Sequence, residues 1–269
     1  MIPIHARLIL PALVAVLLCA PQASAHAQPG ATAADDPLAS PRWPELRRVW
    51  FGDAPLRFDP RIRVRAPAIA EDPLKVPVHV DARALHAELG VAVTDILILA
   101  DFNPIVRALH YAPGAAVPAL GFALKLQQSS PVRAAVRTAD GVWHVGGTQV
   151  TTTGGGCTLP SAGSGAAAWQ QRLNHAEARA WPRADGGERL KLHIVHPMDT
   201  GLAAGIPAFH VEEIALFADD GAEAIATLQP FEPVTENPLF TLDLPPGLAV
   251  RRIAGRDNNG NRIAAEVGR

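Results

Sequence analysis

Cysteine is almost missing from this chain. There are two in 269 residues, Cys19 and Cys157. Neither belongs to a CxxC pair or a CxxCH motif, which removes thioredoxin-like redox chemistry and c-type haem attachment. An excess of charge of one sign is also missing. With 24 basic and 26 acidic residues, nothing favours nucleic acid or an anionic membrane as a partner. No GxGxxG or GxxxxGK[ST] pattern opens a helix, and there is no GxSxG elbow. These absences weaken every enzyme reading. Aromatic residues are sparse at 5%, but a hydrophobic fraction of 48% is ample for a core. Past residue 27 no stretch is long and apolar enough for a membrane helix.

The first residues have the form of an export signal. Arg7 supplies a basic start, and residues 8–20 are an almost unbroken apolar run. Ala23-Ser24-Ala25 and Ala25-His26-Ala27 both fit the small-x-small cleavage rule. Leu18 stands before Cys19 where a lipobox wants a small residue, which argues against a lipid anchor. We expect a signal peptide over 1–27, a periplasmic mature protein in a Gram-negative cell, and a disordered lead-in over 28–45. The mature protein then keeps Cys157 as its one thiol.

What is abundant is proline, 25 residues spread evenly. That disfavours long helices and favours short strands joined by turns. Apolar alternation or apolar runs mark strands over 62–66, 76–82, 91–100, 121–127, 132–138 and 142–150. Pro77 argues for an edge or bulge position, and Asp140-Gly141 reads as a hairpin turn. A second series covers 190–196, 208–218, 223–228, 239–244 and 248–254, with a further short strand after Asn261. Asp219-Asp220-Gly221 and Pro245-Pro246-Gly247 mark turns in it. Between the series, 161–165 has linker composition, and 166–180 reads as a short helix stopped by Pro182. The expected fold is all-β, with two sandwich domains at 46–160 and 188–269 joined by a linker and short helix at 161–187.

Cys157 stands in Gly154-Gly155-Gly156-Cys157-Thr158-Leu159-Pro160. A lone thiol in an oxidising compartment is a liability unless it has a task. Gly154, Gly155 and Gly156 offer a thin, flexible mount without side-chain bulk. No Lys, Arg or His lies within several residues, so activation of the thiol would have to come from a partner or a fold neighbour. This suits a carrier better than a cysteine hydrolase, which needs a positioned base. The bland alternative is a glycine-rich loop with an incidental buried cysteine. His193, His196, Met198 and His210 invite a copper reading. The strand period counts against it, because His193 and His196 point to opposite faces. His144 reads as a strand-surface residue and His175 as a solvent-facing one on the linker helix. Asp101-Phe102-Asn103-Pro104 reads as a loop closing a buried strand. No catalytic residue, metal or cofactor is expected.

The order of these features resembles a known family. Ala70-Glu71-Asp72 through Val76-Pro77-Val78, then Ala100 to Pro104, then the glycine-cysteine segment, resemble SoxY, the sulfur-carrying subunit of the bacterial thiosulfate-oxidising system. His196-Pro197-Met198-Asp199-Thr200-Gly201, Ile206-Pro207-Ala208, Asn237-Pro238 and Asp257-Asn258-Asn259-Gly260 resemble its partner SoxZ. Together they resemble the fused SoxYZ-like carriers associated with quinoprotein dehydrogenases. The resemblance implies two immunoglobulin-like β-sandwiches packed on each other. It also implies a carrier cysteine at Cys157 on an arm formed by Gly154, Gly155 and Gly156, holding sulfur intermediates while other enzymes act on them. One departure stands out. In SoxY the arm ends the chain, with glycines on both sides of the cysteine, whereas here Thr158-Leu159-Pro160 follows and the chain continues. Expected partners are periplasmic sulfur-oxidising enzymes, or a quinoprotein dehydrogenase or cytochrome. Two exposed thiols could also form a disulfide-linked homodimer through Cys157. The competing function is a non-covalent interaction module for such a dehydrogenase or cytochrome, with the cysteine incidental.

Overall fold

A computed structural model describes residues 36–162, 167–218 and 223–269. The expected signal peptide, the start of the lead-in, most of the 161–165 linker and the 219–221 turn lie outside these residues.

The first half contributes β1 (Leu56–Phe58), β2 (Arg63–Arg65), β3 (Ile69–Ala70), β4 (Val76–Asp81), β5 (Val93–Ala100), β6 (Arg107–Ala112), β7 (Ala119–Leu124), β8 (Ser130–Thr138) and β9 (Trp143–Thr152). The second half contributes β10 (Ala176–Pro182), β11 (Glu188–Ile194), β12 (Asp199–Thr200), β13 (Ala208–Phe209), β14 (Val211–Phe217), β15 (Ala226–Pro230), β16 (Leu239–Leu244), β17 (Arg252–Asp257) and β18 (Arg262–Gly268). Helices α1 (Trp43–Phe51), α2 (Arg83–Leu89) and α3 (Ala167–Gln170) complete the described elements.

The halves are stitched together strand to strand. One layer runs β1-β9-β8-β5-β6-β15-β14-β17-β18, and the other β2-β4-β7-β16-β11-β10, with β10 meeting β18 at the end. Two antiparallel pairings cross between halves: β6 with β15, and β7 with β16 through Gly121 with Thr241 and Leu120 with Leu242. One hydrophobic cluster accordingly takes Ile96, Ile98 and Leu109 from the first half and Leu228, Phe240 and Leu242 from the second. The sequence reading of two sandwiches joined by a linker misses this shared sheet. Local patterning reports which face of a strand is buried, and the identity of the strand beside it does not enter that pattern.

Period-two alternation explains the inner face of the second layer. In β16, Phe240, Leu242 and Leu244 are buried, while Leu239 and Thr241 point outward. In β4, Val76, Val78 and Val80 are buried while Pro77 is exposed. Pro77 is tolerated because β2 pairs only with His79 to Asp81 and stops short of it. Full burial of each such side chain contributes about 1.5–3 kcal/mol.

Three local expectations need correction. Residues 36–45 are ordered: Asp36 and Trp43 are buried, and α1 follows. The small polar composition concealed a charge that folds onto the body. The helix expected over 166–180 is cut to Ala167–Gln170, and residues from Ala176 form β10 instead. Pairing with β11 and β18 overrides the local helix preference. Finally, His144 is fully buried rather than on the strand surface, with Nδ1 2.8 Å from Asp59 Oδ2.

Candidate functional site

Cys157 is the single free cysteine among the described residues, and only 1% of it is exposed. The glycine segment that carries it does not extend into solvent. Gly155 N–H donates to Gln127 O at 2.9 Å, and Gly156 N–H donates to Leu126 O at 3.0 Å. Cys157 N–H donates to Gln127 Oε1 at 3.2 Å, and its Sγ lies 3.7 Å from Lys125 O. The expected flexible arm of Gly154, Gly155 and Gly156 is therefore a docked one here, and the expected exposed thiol is buried. The glycines serve close approach as much as freedom. A Cβ on Gly156 would lie 2.2 Å from Pro73 O, and one on Gly154 would lie 2.5 Å from Gln127 O.

The second half closes over the cysteine from the other side. Thr200 Oγ1 donates to Cys157 O at 2.6 Å. Ser161 N–H donates to Asp199 Oδ1 at 3.0 Å, and Ala162 N–H donates to Glu236 Oε2 at 2.9 Å. Cys157 thus sits at the seam of the two halves. It is held below by residues 125–127, which follow β7, and above by β12 and the turn before β16.

Motifs scattered along the sequence converge on this seam. Asn103, fully buried, donates through Nδ2 to Lys125 O at 2.8 Å and accepts from Gln127 N–H at 2.9 Å. It fixes the strand end on which the cysteine rests. Asn237 accepts from His196 N–H at 3.1 Å, and His196 Nδ1 accepts from Met198 N–H at 3.1 Å. Met198 carries a positive φ of 54°, which turns its carbonyl toward the Lys125 ammonium. His196 is fully buried, and burial holds its imidazole neutral down to about 3. It acts as a wedge in the turn.

The copper reading gains nothing from this geometry. His193 lies on the outer face of β11, His196 and Met198 are spent on the turn, and His210 Nδ1 is 3.9 Å from Glu232 Oε1. No group of three or more His, Cys, Asp or Glu side chains suited to a metal occurs among the described residues. His175 is exposed as expected, but it precedes β10 rather than sitting on a helix.

Lys125 is the functional candidate that the linear sequence concealed. It is only 3% exposed, donates to Met198 O and lies 3.4 Å from Glu232 O. Burial lowers its ammonium pKa to about 8, against the pull of Cys157 and nearby carboxylates. Burial likewise pushes the Cys157 thiol up to about 11, and the Lys125 charge offsets only part of that. The docked thiol is therefore protonated at neutral pH and is a poor nucleophile, since the thiolate is the reactive form. Lys125 lies 32 positions from Cys157 in sequence, so no local motif joins them. Asn103, Thr200 and Asn237 lie inside the motifs that carry the family resemblance, and that is the signal by which they could be found.

With the geometry in view, comparison with known proteins gives a class. Residues 47–157 match the family described as sulfur oxidation protein SoxY, and the match ends on Cys157 itself. This part of the chain is thus similar to SoxY, and the similarity is what links it to sulfur oxidation. Two solved structures are similar to part of the chain. The sulfur carrier protein SoxY from Chlorobium limicola f thiosulfatophilum shares 20% identity, with 42% of this chain and 96% of that one covered and a TM-score of 0.34. A putative superoxide reductase from Thermotoga maritima shares 14% identity, with 38% and 96% covered and a TM-score of 0.32. No curated protein matches the chain. No helix among the described residues is long and apolar enough to cross a membrane.

Proposed function

We propose that this protein is an exported thiol carrier that holds a sulfur-containing intermediate covalently on Cys157 and catalyses nothing itself. The observation that carries the reading is the end of the SoxY match on Cys157, a lone described thiol on three glycines. The docked conformation is then the resting state. Loading needs the 154–162 segment to lift, so that the thiol returns toward an ordinary value of about 8.5 and can ionise. Its partners are periplasmic sulfur-oxidising enzymes or a quinoprotein dehydrogenase system. A disulfide-linked homodimer through Cys157 would form only from the lifted state.

The test is intact-mass spectrometry of protein taken without reductant from its native host while a reduced sulfur compound is being oxidised. The expected result is a discrete added mass on Cys157 that thiol reductant removes. Cells carrying Cys157→Ser should lose the oxidation, and full retention would overturn the reading. The burial of Cys157 favours one alternative, a non-covalent interaction module. In that case Cys157→Ala would recover the same partner in a pull-down and the host pathway would run unimpaired.

A further inference from the structure

The outer faces of the two layers are finished differently. Over the first layer, α1 lays Trp43, Leu46 and Phe51 on Leu97, Leu99, Ala135 and Val145. On the second layer no residue of a described helix lines the open outer face near the crossing of the halves. Its outward residues near the crossing of the halves are small: Gly121 and Ala123 on β7, and Thr241 on β16. The result is an open groove of about 1160 Å³. Its floor exists only because β7 of one half pairs with β16 of the other.

The rim is apolar where it is exposed. Leu159 is 50% exposed and Leu239 45% exposed, and both line the groove. A shallower hollow shares His193 and Leu239 with it and extends to Trp181, which is 40% exposed. Half of the large exposed hydrophobics of the described chain thus border one continuous surface. The charges around it are mostly of one sign. Arg65 and Lys75 are exposed on one side. Arg179 and Lys191 flank the Trp181 ring on the other, 5.5 and 5.7 Å from its centre. None of these four cations forms an ion pair among the described residues, although the whole chain has a net charge of −2. The acidic groups nearby are engaged: Asp72 with Leu74 N–H, Glu236 with Ala162 N–H, and Glu177 with His175.

We propose that this face docks a protein partner whose contact surface presents an apolar centre ringed by carboxylates. A groove of this size and openness is too large for a small sulfur oxyanion, since even drug-sized ligands fill only about 300–1,000 Å³. An apolar centre with a charged, unpaired rim is the anatomy of a protein contact, and unpaired cations select and steer an acidic partner. The proposal rests on the carrier reading in one respect. Leu159 lies two residues past Cys157, so a partner seated here stands beside the released thiol.

The test is photo-crosslinking of the full chain in its native host during oxidation of a reduced sulfur compound, with p-benzoylphenylalanine at position 123 or 241 and, as control, at Val49 on α1. Cross-linked peptides are identified by mass spectrometry, and a thermal melt confirms that each variant folds. The expected result is one partner protein captured from 123 and 241 but not from 49, through an acidic segment. The yield should fall at least fivefold in Lys75→Glu or Lys191→Glu. Capture of a second copy or of this chain's own residues, equal capture from position 49, indifference to charge reversal, or no cross-link at all would overturn it. The same experiment in Cys157→Ser separates the two ideas. If sulfur oxidation persists in that variant while the acidic partner is still captured, the carrier reading fails and the docking face stands.

Discussion

Residues 36–51 and residues 154–162 both lie against the body of the sandwich, and they are held by opposite means. The first is fixed by side chains. Asp36 and Asp101 grip the Arg133 guanidinium from two sides at 2.7–3.1 Å, and all three are buried. The same guanidinium lies 4.5 Å from the centre of the fully buried Trp43 ring. The second is fixed largely through its backbone, and Cys157 is its one buried residue besides Gly156. Bidentate buried charge pairs are expensive to open, because each partner left behind is an uncompensated charge. Backbone hydrogen bonds exchanged for water cost only about 0.5–1.5 kcal/mol each. The N-terminal segment is therefore part of the fabric, and the cysteine segment is the one built to let go.

The hardest way to break this contrast is to unpair the N-terminal lock. Arg133→Met leaves two buried carboxylates facing each other and should cost about 3–5 kcal/mol in denaturant unfolding. Because that variant touches none of the residues holding Cys157, thiol alkylation of the folded protein should stay within about twofold of the parent. A large rise in reactivity would mean that the two segments open together.

Next in size is Gly156→Ala, which sets a methyl group against Pro73 O and should lift the cysteine segment. Alkylation by iodoacetamide is expected to rise about a hundredfold, the worth of two or three backbone hydrogen bonds at ~1 kcal/mol each. The global unfolding free energy should fall by no more than the same ~2–3 kcal/mol. An unchanged rate would show that the segment is not the gate.

Titration of the thiol at 240 nm sharpens the comparison further. Burial holds Cys157 at about 11 when docked. The midpoint should drop toward the free value of about 8.5 in Gly156→Ala. The sign follows from linkage. A thiol whose value is raised by docking favours the docked state fully at low pH, and that preference is lost as pH climbs from about 8.5 through about 11. Segment release should consequently increase on the alkaline side. A parent midpoint near 8.5 would mean that the thiol is already solvated.

The smallest effect expected is for Thr200→Val, which removes the hydroxyl donor to Cys157 O while keeping the shape. One such bond is worth about 1 kcal/mol, so alkylation should quicken roughly five- to tenfold. Equal rates in Thr200→Val and the parent would show that this hydrogen bond does not hold the segment down.

Much of the fold was legible from local pattern. The alternation at 239–244 and the buried run at 96–99 sit where expected, because a strand's burial period is written in its own residues. The Asp140-Gly141 turn is likewise local: Gly141 takes a φ of 84° that other residues resist. Strand β10 was not legible, since an alanine-rich stretch has helix propensity on its own and became a strand only beside β11 and β18. Nor was β6, whose Arg107-Ala108-Leu109-His110 start shows no clean alternation and which is held between β5 and β15.

At the site, the thiol, the three glycines before it and the motifs that match a family are readable along the chain. So is the ordinary nucleophilic tendency of a cysteine with no nearby base. The burial of the thiol at the seam between halves, the placement of Lys125 beneath it and its cover by Thr200, Asp199 and Glu236 come from the folded chain alone. The physical reason is the range of the interactions. Backbone freedom and strand period act between neighbours in sequence. Desolvation and charge depend on what the fold brings into contact across 30 to 80 positions, and no reading of adjacent residues contains that.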